Sequence, residues 1–231
     1  MCHFGDPNAK VKVALVGNSH AGEWVPAMQQ IIKDQHWYLT TYLASRCANA
    51  DILQKFDTTA HGQACQNWTR QSTNAIVHGG YDLVVMTNRI SVTASGQSTI
   101  AGSQQPYAQG YLSVLKQFQA AHLSVVGIRD TPAPGNPLIP DCLGAHGTDY
   151  SACDFSRAAH LPAEPLTTAI TELNDPKVHE VDLTEYICPD ATCPAVIGRL
   201  PAYFDNSHLS GAFSATLAPY LEPHLVQALT H

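Results

Sequence analysis

Val11-Lys-Val-Ala-Leu-Val-Gly-Asn-Ser-His20 is a short apolar, β-branched run that ends at a glycine and passes at once into a helical pattern. The apolar run predicts a buried strand over residues 11–16. Apolar residues at i, i+3 and i+4 spacing then predict a helix that begins at Ser19 or His20. A strand that turns into a helix at Gly17 places Ser19 at the carboxyl end of a sheet, where open α/β sheets bind their ligands.

The alternation of strand and helix patterns continues along the chain. Segments rich in polar residues, glycine or proline are predicted to be irregular, and the last of them is long enough for a functional loop or lid. Alternating strands and helices predict an α/β fold, with a five-stranded parallel sheet covered on both faces, in one domain over residues 1–231. The four further predicted strands are 37–43, 82–86, 123–128 and 178–182, and the irregular segments are 44–64, 91–105 and 131–150.

Composition excludes several classes of function. The formal net charge is −7 and no basic run is present, which argues against nucleic-acid binding. No apolar run approaches the roughly 18–20 residues that span a bilayer. The first ten residues lack the basic head and apolar core of a signal peptide, which by itself favours a cytosolic location. No metal or cofactor motif is visible, so we expect neither.

The cysteines point to a different compartment. Six of the seven fall into near neighbours, Cys47 with Cys65, Cys142 with Cys153, and Cys188 with Cys193. Pairs that close short loops are typical of an oxidising environment. Reduced buried thiols and a Cys/His metal site remain open, although no paired C-x-x-C motif is present. Spacing alone cannot decide the connectivity.

Cys2 is the odd cysteine, and it stands at the start of a chain that has no export signal. An odd cysteine in an exported protein suggests a bonding partner elsewhere. Both observations fit one hypothesis, in which the chain is the C-terminal part of a larger exported protein. The export signal, and the partner of Cys2, would then lie upstream.

Asp205-Asn-Ser-His208 supplies a carboxylate and an imidazole near the far end of the chain. A serine hydroxyl becomes a good nucleophile when a base removes its proton, and histidine is the usual base. A carboxylate then holds the imidazole in the required tautomer. Ser19, His208 and Asp205 are therefore candidates for nucleophile, base and orienting carboxylate. The alternative for Ser19 is a helix N-cap.

The Gly17-Asn-Ser-His20 block, together with Asp205-x-x-His208-Leu-Ser, resembles the SGNH (GDSL-like) hydrolase superfamily. The chain is most similar to the SGNH domain fused to membrane-bound type 3 acyltransferases, which O-acylate cell-surface glycans. Arg129-Asp-Thr-Pro and the Cys-Pro pairs at 188–194 also look like that subgroup. The resemblance covers essentially the whole chain and implies a flavodoxin-like three-layer sandwich, the SGNH hydrolase fold.

The resemblance also implies an oxyanion hole. Its donors would be the backbone N–H of Ser19, a backbone N–H from the loop at Ser45-Arg46, and the side chain of Asn88 after the third strand. From its position, His20 is expected to start the helix and line the pocket, with the role of base as its alternative. Two blocks depart from the family pattern. The usual Gly-Asp-Ser is Gly-Asn-Ser here, so Asn18 keeps a hydrogen-bonding carbonyl but loses the charge, and the third block is Thr-Asn-Arg, for which Asn88 has a strand-end turn role as its alternative.

Other residues near the predicted site have structural alternatives. Arg89, Arg129 and Asp130 follow strands at the same sheet edge, where they could bind substrate or form ion pairs. Trp24 and Trp37 are expected in the core. Trp68 could stack on a sugar, although a structural position is favoured. These alternatives cannot be separated without knowing which residues meet in space.

The resemblance implies serine-dependent O-acyl transfer, with acetyl as the expected group, to a cell-surface or cell-wall glycan. The partners would be this glycan and a membrane acyltransferase domain of the same parent chain, which would tether the domain on the extracytoplasmic side. The domain itself is expected to be soluble and monomeric. Two alternatives stay open: a carbohydrate O-acetylesterase, and a non-catalytic glycan- or partner-binding domain with a degenerate site.

Overall fold

A computed structural model describes residues 1–230. The protein has one main sheet and two small two-stranded sheets. The strands are β1 (Cys2–Gly5), β2 (Lys12–Gly17), β3 (Tyr38–Leu43), β4 (Leu83–Thr87), β5 (Ser124–Ile128), β6 (Phe155–Ser156), β7 (Val178–Val181), β8 (Thr192–Cys193), β9 (Val196–Ile197) and β10 (Leu200–Pro201).

The helices lie between and after these strands. They are α1 (Ser19–Gly22), α2 (Val25–Gln35), α3 (Thr59–Val77), α4 (Ile100–Ala120), α5 (Ile139–His146), α6 (Arg157–His160), α7 (Pro165–Leu173), α8 (Thr184–Ile187), α9 (Gly211–Thr216) and α10 (Ala218–Ala228). In residues 1–230, no helix has the length and apolar character needed to cross a membrane.

The main sheet has the strand order β1-β3-β2-β4-β5-β7. Its last five members are parallel, as the sequence predicts. β1 adds a sixth strand, antiparallel to β3. The sequence does not reveal β1, because a four-residue edge strand with largely exposed side chains carries no apolar alternation.

The sheet separates two apolar cores, so the predicted three-layer α/β class is confirmed. Alternate residues of a strand face opposite sides. Val13 and Leu15 of β2 pack in one core with α2, α9 and α10. Ala14 and Val16 pack in the other core with α3, α4 and α7. Trp24 and Trp37 lie in the first core, as expected, and Trp68 packs against the second rather than standing free for a sugar.

Three segments that the sequence predicts to be irregular are partly helical. α3 and α4 begin inside the segments 44–64 and 91–105, and α5 lies inside 131–150. Thr58 and Thr99 cap the first two helices, because their hydroxyls accept the backbone N–H of His61 and Gly102. The polar composition that suggests loops thus includes the capping residues of helices.

Three disulfides join Cys47 to Cys65, Cys142 to Cys153, and Cys188 to Cys193. These are the pairings that the sequence favours. Cys2 carries a free, exposed thiol. Each bond closes a short loop, with 18, 11 and 5 residues of sequence separation, which limits the conformational freedom of the unfolded chain.

Gly17 fixes how closely the ends of β2 and β4 approach. Its φ is +153°, and an added Cβ would lie 2.0 Å from the carbonyl oxygen of Thr87. No side chain fits there without moving one of the two strands. Because Ser19 follows two residues later, the glycine also sets the position of the hydroxyl against β4.

We therefore expect Gly17→Ala to lower the free energy of unfolding by about 2–4 kcal/mol, through combined backbone strain and overpacking. Urea denaturation measures the change. Gly144→Ala is the control, because an added Cβ at this exposed helical position meets nothing within 4 Å. That variant should be neutral or slightly stabilising, and equal effects at the two positions would contradict the steric argument.

Candidate active site

Ser19, Asp205 and His208 meet at the carboxyl edge of the sheet. Ser19 is the first residue of α1, directly after β2, whereas Asp205 and His208 lie in the turn before α9. The His208 Nε2 lies 2.8 Å from the Ser19 Oγ, and the His208 Nδ1 lies 2.7 Å from the Asp205 Oδ2. This arrangement lets an imidazole accept a proton from the hydroxyl while a carboxylate supports it.

Asp205 is held by its own turn. Its Oδ1 accepts the backbone N–H of Ser207 at 2.8 Å and of His208 at 2.7 Å. Partial burial raises the pKa of Asp205, but these backbone donors and the His208 ring outweigh burial, so the pKa lies below its ordinary value. The ionised carboxylate holds the proton on His208 Nδ1, which leaves Nε2 facing Ser19.

Asn18, not Ser19, caps the helix. The Asn18 Oδ1 accepts the backbone N–H of His20 at 3.1 Å and of Arg89 at 3.2 Å. Its Nδ2 donates to the Arg89 carbonyl at 2.7 Å. An aspartate could not make that donation, so the Gly-Asn-Ser sequence has a structural reason. The Ser19 hydroxyl is thereby left for His208.

Asn88 carries an unpaired donor beside this site. Its side chain is buried, and its Oδ1 accepts the backbone N–H of Asn49 at 2.9 Å. Its Nδ2 has no hydrogen-bond partner within residues 1–230. The backbone N–H of Ser19 has no acceptor within its helix, because Ser19 is the first helical residue. Both groups are therefore free to donate to an oxyanion, and the predicted oxyanion hole stays a prediction.

Ser45 and Arg46 do not join this group in the structure. Both are exposed in the turn after β3, where Arg46 has a φ of +60°. The Arg46 guanidinium lies 5.6 Å from the ring centroid of Phe56. Across residues 1–230, no hydrogen bond or ring contact connects either residue to Ser19 or His208. Their oxyanion role therefore stays a prediction without support from contacts.

A buried charged cluster lies beneath the triad. We define it as His20, Glu23 and Asp130, whose side chains are at most 2% exposed. The His20 Nδ1 lies 2.7 Å from the Asp130 Oδ1 and 3.6 Å from the Glu23 Oε1. The partly exposed Arg89 adds a positive charge, with its Nη1 3.4 Å from the Asp130 Oδ2.

Two residues of the buried cluster, His20 and Glu23, have pKa values above their ordinary ones. Burial lowers the pKa of His20, but the charges of Asp130 and Glu23 outweigh it, so the net shift is upward. Burial raises the pKa of Glu23 to about 7. The His20 ring also packs against the His208 ring, with centroids 4.6 Å apart. The predicted pocket-lining His20 therefore lies under the base, paired with Asp130.

Within residues 1–230, the buried cluster has the kinds of side chain that bind metal ions, and its possible ligand atoms lie within 4.8 Å of one another. However, two ligands of one zinc ion lie about 3.3 Å apart in tetrahedral geometry. The 2.7 Å separation between His20 and Asp130 is instead that of a direct ion pair. We therefore interpret the buried cluster as a network of charges and hydrogen bonds.

An apolar cleft opens beside Ser19 and His208. Its volume is about 360 Å³, and its walls include Gly22, Pro26 and Phe204. The Phe204 side chain is 57% exposed, and its ring stacks on the His208 ring with centroids 5.4 Å apart. The sequence interpretation missed Phe204 and Glu23 as site residues. In the sequence, Phe204 is only a single phenylalanine before Asp205, and Glu23 is only a single carboxylate four residues after Ser19. Neither forms a motif that indicates a site.

Arg129 takes the structural alternative, because its side chain forms ion pairs with Glu180 and Asp182 at 3.8 and 3.7 Å. It also donates to the carbonyl of Pro162 at 3.4 Å. These contacts attach the end of β5 to β7 and to the segment before α7.

The fold and the site define a class, the α/β serine enzymes of the SGNH type. The family model described as "SGNH domain (fused to AT3 domains)" matches residues 1–223. The chain belongs to this family, as the sequence resemblance predicts. No curated protein sequence matches the chain at a significant level.

Solved structures share the fold at low sequence identity. The periplasmic domain of a lipopolysaccharide acetyltransferase from Salmonella ser. Paratyphi A has a TM-score of 0.69 at 13% identity, over 95% of this chain and 85% of that one. The acetyl xylan esterase AlAXEase has a TM-score of 0.53 at 13% identity, over 93% and 100%. A GDSL-like lipase from Bacteroides thetaiotaomicron has a TM-score of 0.51 at 13% identity, over 94% and 88%.

A second buried carboxyl predicts how stability depends on pH. Glu164 is partly exposed as a residue, but its carboxylate turns inward and accepts the N–H of Asp130 and Leu166 at 2.8 and 3.2 Å. Burial, with the charge of Asp130, raises its pKa from 4.5 to about 8. The folded protein thus holds this proton more tightly than the unfolded chain. Its stabilising effect is complete below pH 4.5 and is lost as the pH rises through about 8.

We expect Glu164→Gln to reduce the fall in unfolding free energy between pH 5 and pH 8 by about 1–3 kcal/mol. Urea denaturation at the two pH values measures this. The exposed Glu172 provides the matched control, since Glu172→Gln should leave the pH dependence as in the wild type. An unchanged pH dependence in Glu164→Gln would contradict the assignment.

Proposed function

We propose that this domain transfers O-acetyl groups to a cell-surface or cell-wall glycan through an acyl-serine intermediate on Ser19. The observation that carries the proposal is the 2.8 Å contact between the Ser19 Oγ and an imidazole whose other nitrogen is held by Asp205. Nucleophile, base and orienting carboxylate are thus in contact without any further movement. The family assignment gives the same reaction class.

The first half of the reaction forms the acyl-enzyme. His208 Nε2 accepts the Ser19 hydroxyl proton as the Oγ attacks the acyl carbonyl carbon. The Ser19 N–H and the Asn88 Nδ2 donate to the resulting oxyanion, a contribution of about 3–4 kcal/mol per donor. The bond to the donor oxygen then breaks, and His208 gives the proton to that leaving oxygen.

The second half of the reaction transfers the acyl group from Ser19 to the acceptor. His208 removes the proton from a glycan hydroxyl, the hydroxyl oxygen attacks the acyl-serine carbonyl, and the Ser19 Oγ leaves with the proton from His208. Water in place of the glycan hydroxyl gives the carbohydrate O-acetylesterase, the alternative within the same chemistry. The non-catalytic alternative is less well supported, because an intact triad and an unpaired Asn88 donor are present.

The exposed face of Phe204 supports a sugar as the acceptor. The ring forms one side of the cleft, next to His208, while Gly22 and Gly211 leave other parts of the lining without side chains. A flat aromatic face beside a reactive hydroxyl suits the C–H face of a pyranose ring.

We further propose that residues 1–231 form the C-terminal part of a longer chain, in which a membrane acyltransferase domain delivers the acyl group. Support comes from the description of the family as fused to AT3 domains. The three disulfides favour the extracytoplasmic side of the membrane. The structural neighbour from Salmonella is itself a periplasmic domain. Apart from its parent chain, the domain is expected to be a monomer.

Ser19→Ala, His208→Ala and Asp205→Asn should each reduce the hydrolysis of a small aryl acetate by at least about 10³-fold. A fluorophosphonate probe should label the wild type and fail to label Ser19→Ala. Ser91→Ala, at an exposed serine, is the matched control and should keep both activities. Wild-type protein that neither hydrolyses nor labels would leave the non-catalytic domain as the explanation.

Phe204→Ala should lower kcat/KM for an acetylated oligosaccharide by about 2- to 12-fold, because a ring stacking contact contributes about 0.5–1.5 kcal/mol. Phe204→Trp should keep the wild-type value. Turnover of a small alkyl acetate should change less than threefold in either variant. Tyr220→Ala removes an exposed aromatic ring away from the cleft and serves as the control. Equal losses on both substrates would contradict a sugar-binding role.

A comparison of acyl release with and without a glycan acceptor separates transferase from esterase. A transferase should form acetylated glycan and consume donor faster when the acceptor is present. An esterase should release acetate at the same rate in both cases. The first result is the one expected here.

A further inference from the structure

Glu23 is a buried carboxyl that the proposed reaction does not use. It follows α1 directly, and its side chain is 1% exposed. Fully buried carboxyls are rare in proteins unless they are paired, because burial removes their hydration. His20, with its Nδ1 3.6 Å away, is a partner from the same helical turn, but it does not account for the contacts that the Glu23 carboxyl makes with distant segments.

The Glu23 carboxyl connects segments that are distant in sequence. Its Oε2 accepts the backbone N–H of Leu209 at 2.9 Å, a residue 186 positions away. Its Oε1 accepts the hydroxyl proton of Thr131 at 3.3 Å. The carbonyl oxygen of Glu23 also accepts the Ser214 hydroxyl at 2.5 Å. A single residue thus attaches α1 to the turn of the base, to the segment after β5 and to α9.

The contact with Leu209 is the one that bears on the triad. Asp205 fixes the His208 ring within its own turn, through bonds between residues three positions apart or fewer. Those bonds cannot set the distance between that turn and the helix of Ser19. The Ser19–His208 bond itself breaks and re-forms as the proton moves. The bond from Leu209 to Glu23 persists through the reaction and spans the same gap.

We propose that Glu23 is a positioning residue, which holds the His208 turn against the helix of Ser19 and so sets the distance between base and nucleophile. This inference rests on the proposed serine-dependent reaction. To hold the turn, residue 23 must place an acceptor oxygen where the Glu23 Oε2 now accepts the N–H of Leu209. A glutamine supplies that oxygen, and its NH₂ group can donate to the Thr131 hydroxyl. An aspartate keeps the charge but withdraws the acceptor by one methylene.

The test compares kcat and KM on a small aryl acetate for Glu23→Gln, Glu23→Asp and Glu23→Leu. Glu23→Gln should keep kcat within about threefold. Glu23→Leu should lower kcat by about 10–100-fold with KM within twofold, since misplacement of reacting groups by about 1 Å has this effect. Glu23→Asp should lower kcat by about tenfold in a folded protein. A wild-type kcat in Glu23→Asp or Glu23→Leu would overturn the proposal.

Thr131→Val provides the matched control. It removes the other hydrogen bond to the same carboxyl and leaves the Leu209 bond in place. The variant should lower the melting temperature while kcat stays within about threefold. If Thr131→Val lowers kcat as much as Glu23→Leu does, the bond to Leu209 is not what sets kcat and the positioning role is wrong.

A structural measurement separates this inference from the proposed function. If wild-type protein neither hydrolyses esters nor reacts with a fluorophosphonate, the proposed function fails. Crystal structures of wild type and Glu23→Asp then decide the inference. A separation between the Ser19 Oγ and the His208 Nε2 that grows from 2.8 Å to beyond hydrogen-bond distance supports it, and an unchanged separation overturns it.

Discussion

The hydrogen bond between the Ser19 Oγ and the His208 Nε2 joins residues 189 positions apart. The parallel sheet makes this contact possible, because it brings the residue after β2 and the turn before α9 to one edge. Three nearby residues hold the two groups of this hydrogen bond in place. Gly17 lets β2 lie close to β4, Asn18 fixes the entry of α1, and Asp205 orients the imidazole. Without the sheet, these side chains would be unrelated polar residues.

The buried charges beneath the contact are the least expected part of the structure. Removing ionisable groups from water costs several kcal/mol per charge unless partners compensate. Here His20, Glu23 and Asp130 compensate one another, and Arg89 adds a further charge. The raised pKa of Glu23, about 7, reflects how completely it is buried. The hydrogen bond from Leu209 to Glu23 attaches this network to the turn that carries His208.

The chain departs from the usual Gly-Asp-Ser block of its family, and the structure shows what the asparagine does. Its amide both accepts and donates, so it bonds to the N–H and the carbonyl oxygen of Arg89 together. A carboxylate could only accept. The asparagine therefore has a structural role, because it attaches the turn of Ser19 to the segment after β4 through two hydrogen bonds.

The sequence by itself determined the five parallel strands, the place of Ser19 after the first of them, and the Asp205–His208 turn. These features depend on local spacing, such as apolar periodicity and a carboxylate three residues from an imidazole, which a short stretch carries in full. The favoured cysteine pairs are likewise sequence neighbours.

Only the tertiary structure decided which polar groups share a buried space. In the sequence Glu23 is a lone carboxylate just after a short helix, and only the fold brings Thr131 and Leu209 to it as hydrogen-bond partners. His20 lies under the base because Asp130, from a different strand end, holds it there. Edge strand β1 exists because β3 offers it unpaired backbone groups. The physical reason is common to all three: burying a charge or pairing an edge depends on partners far along the chain, which local patterns do not encode.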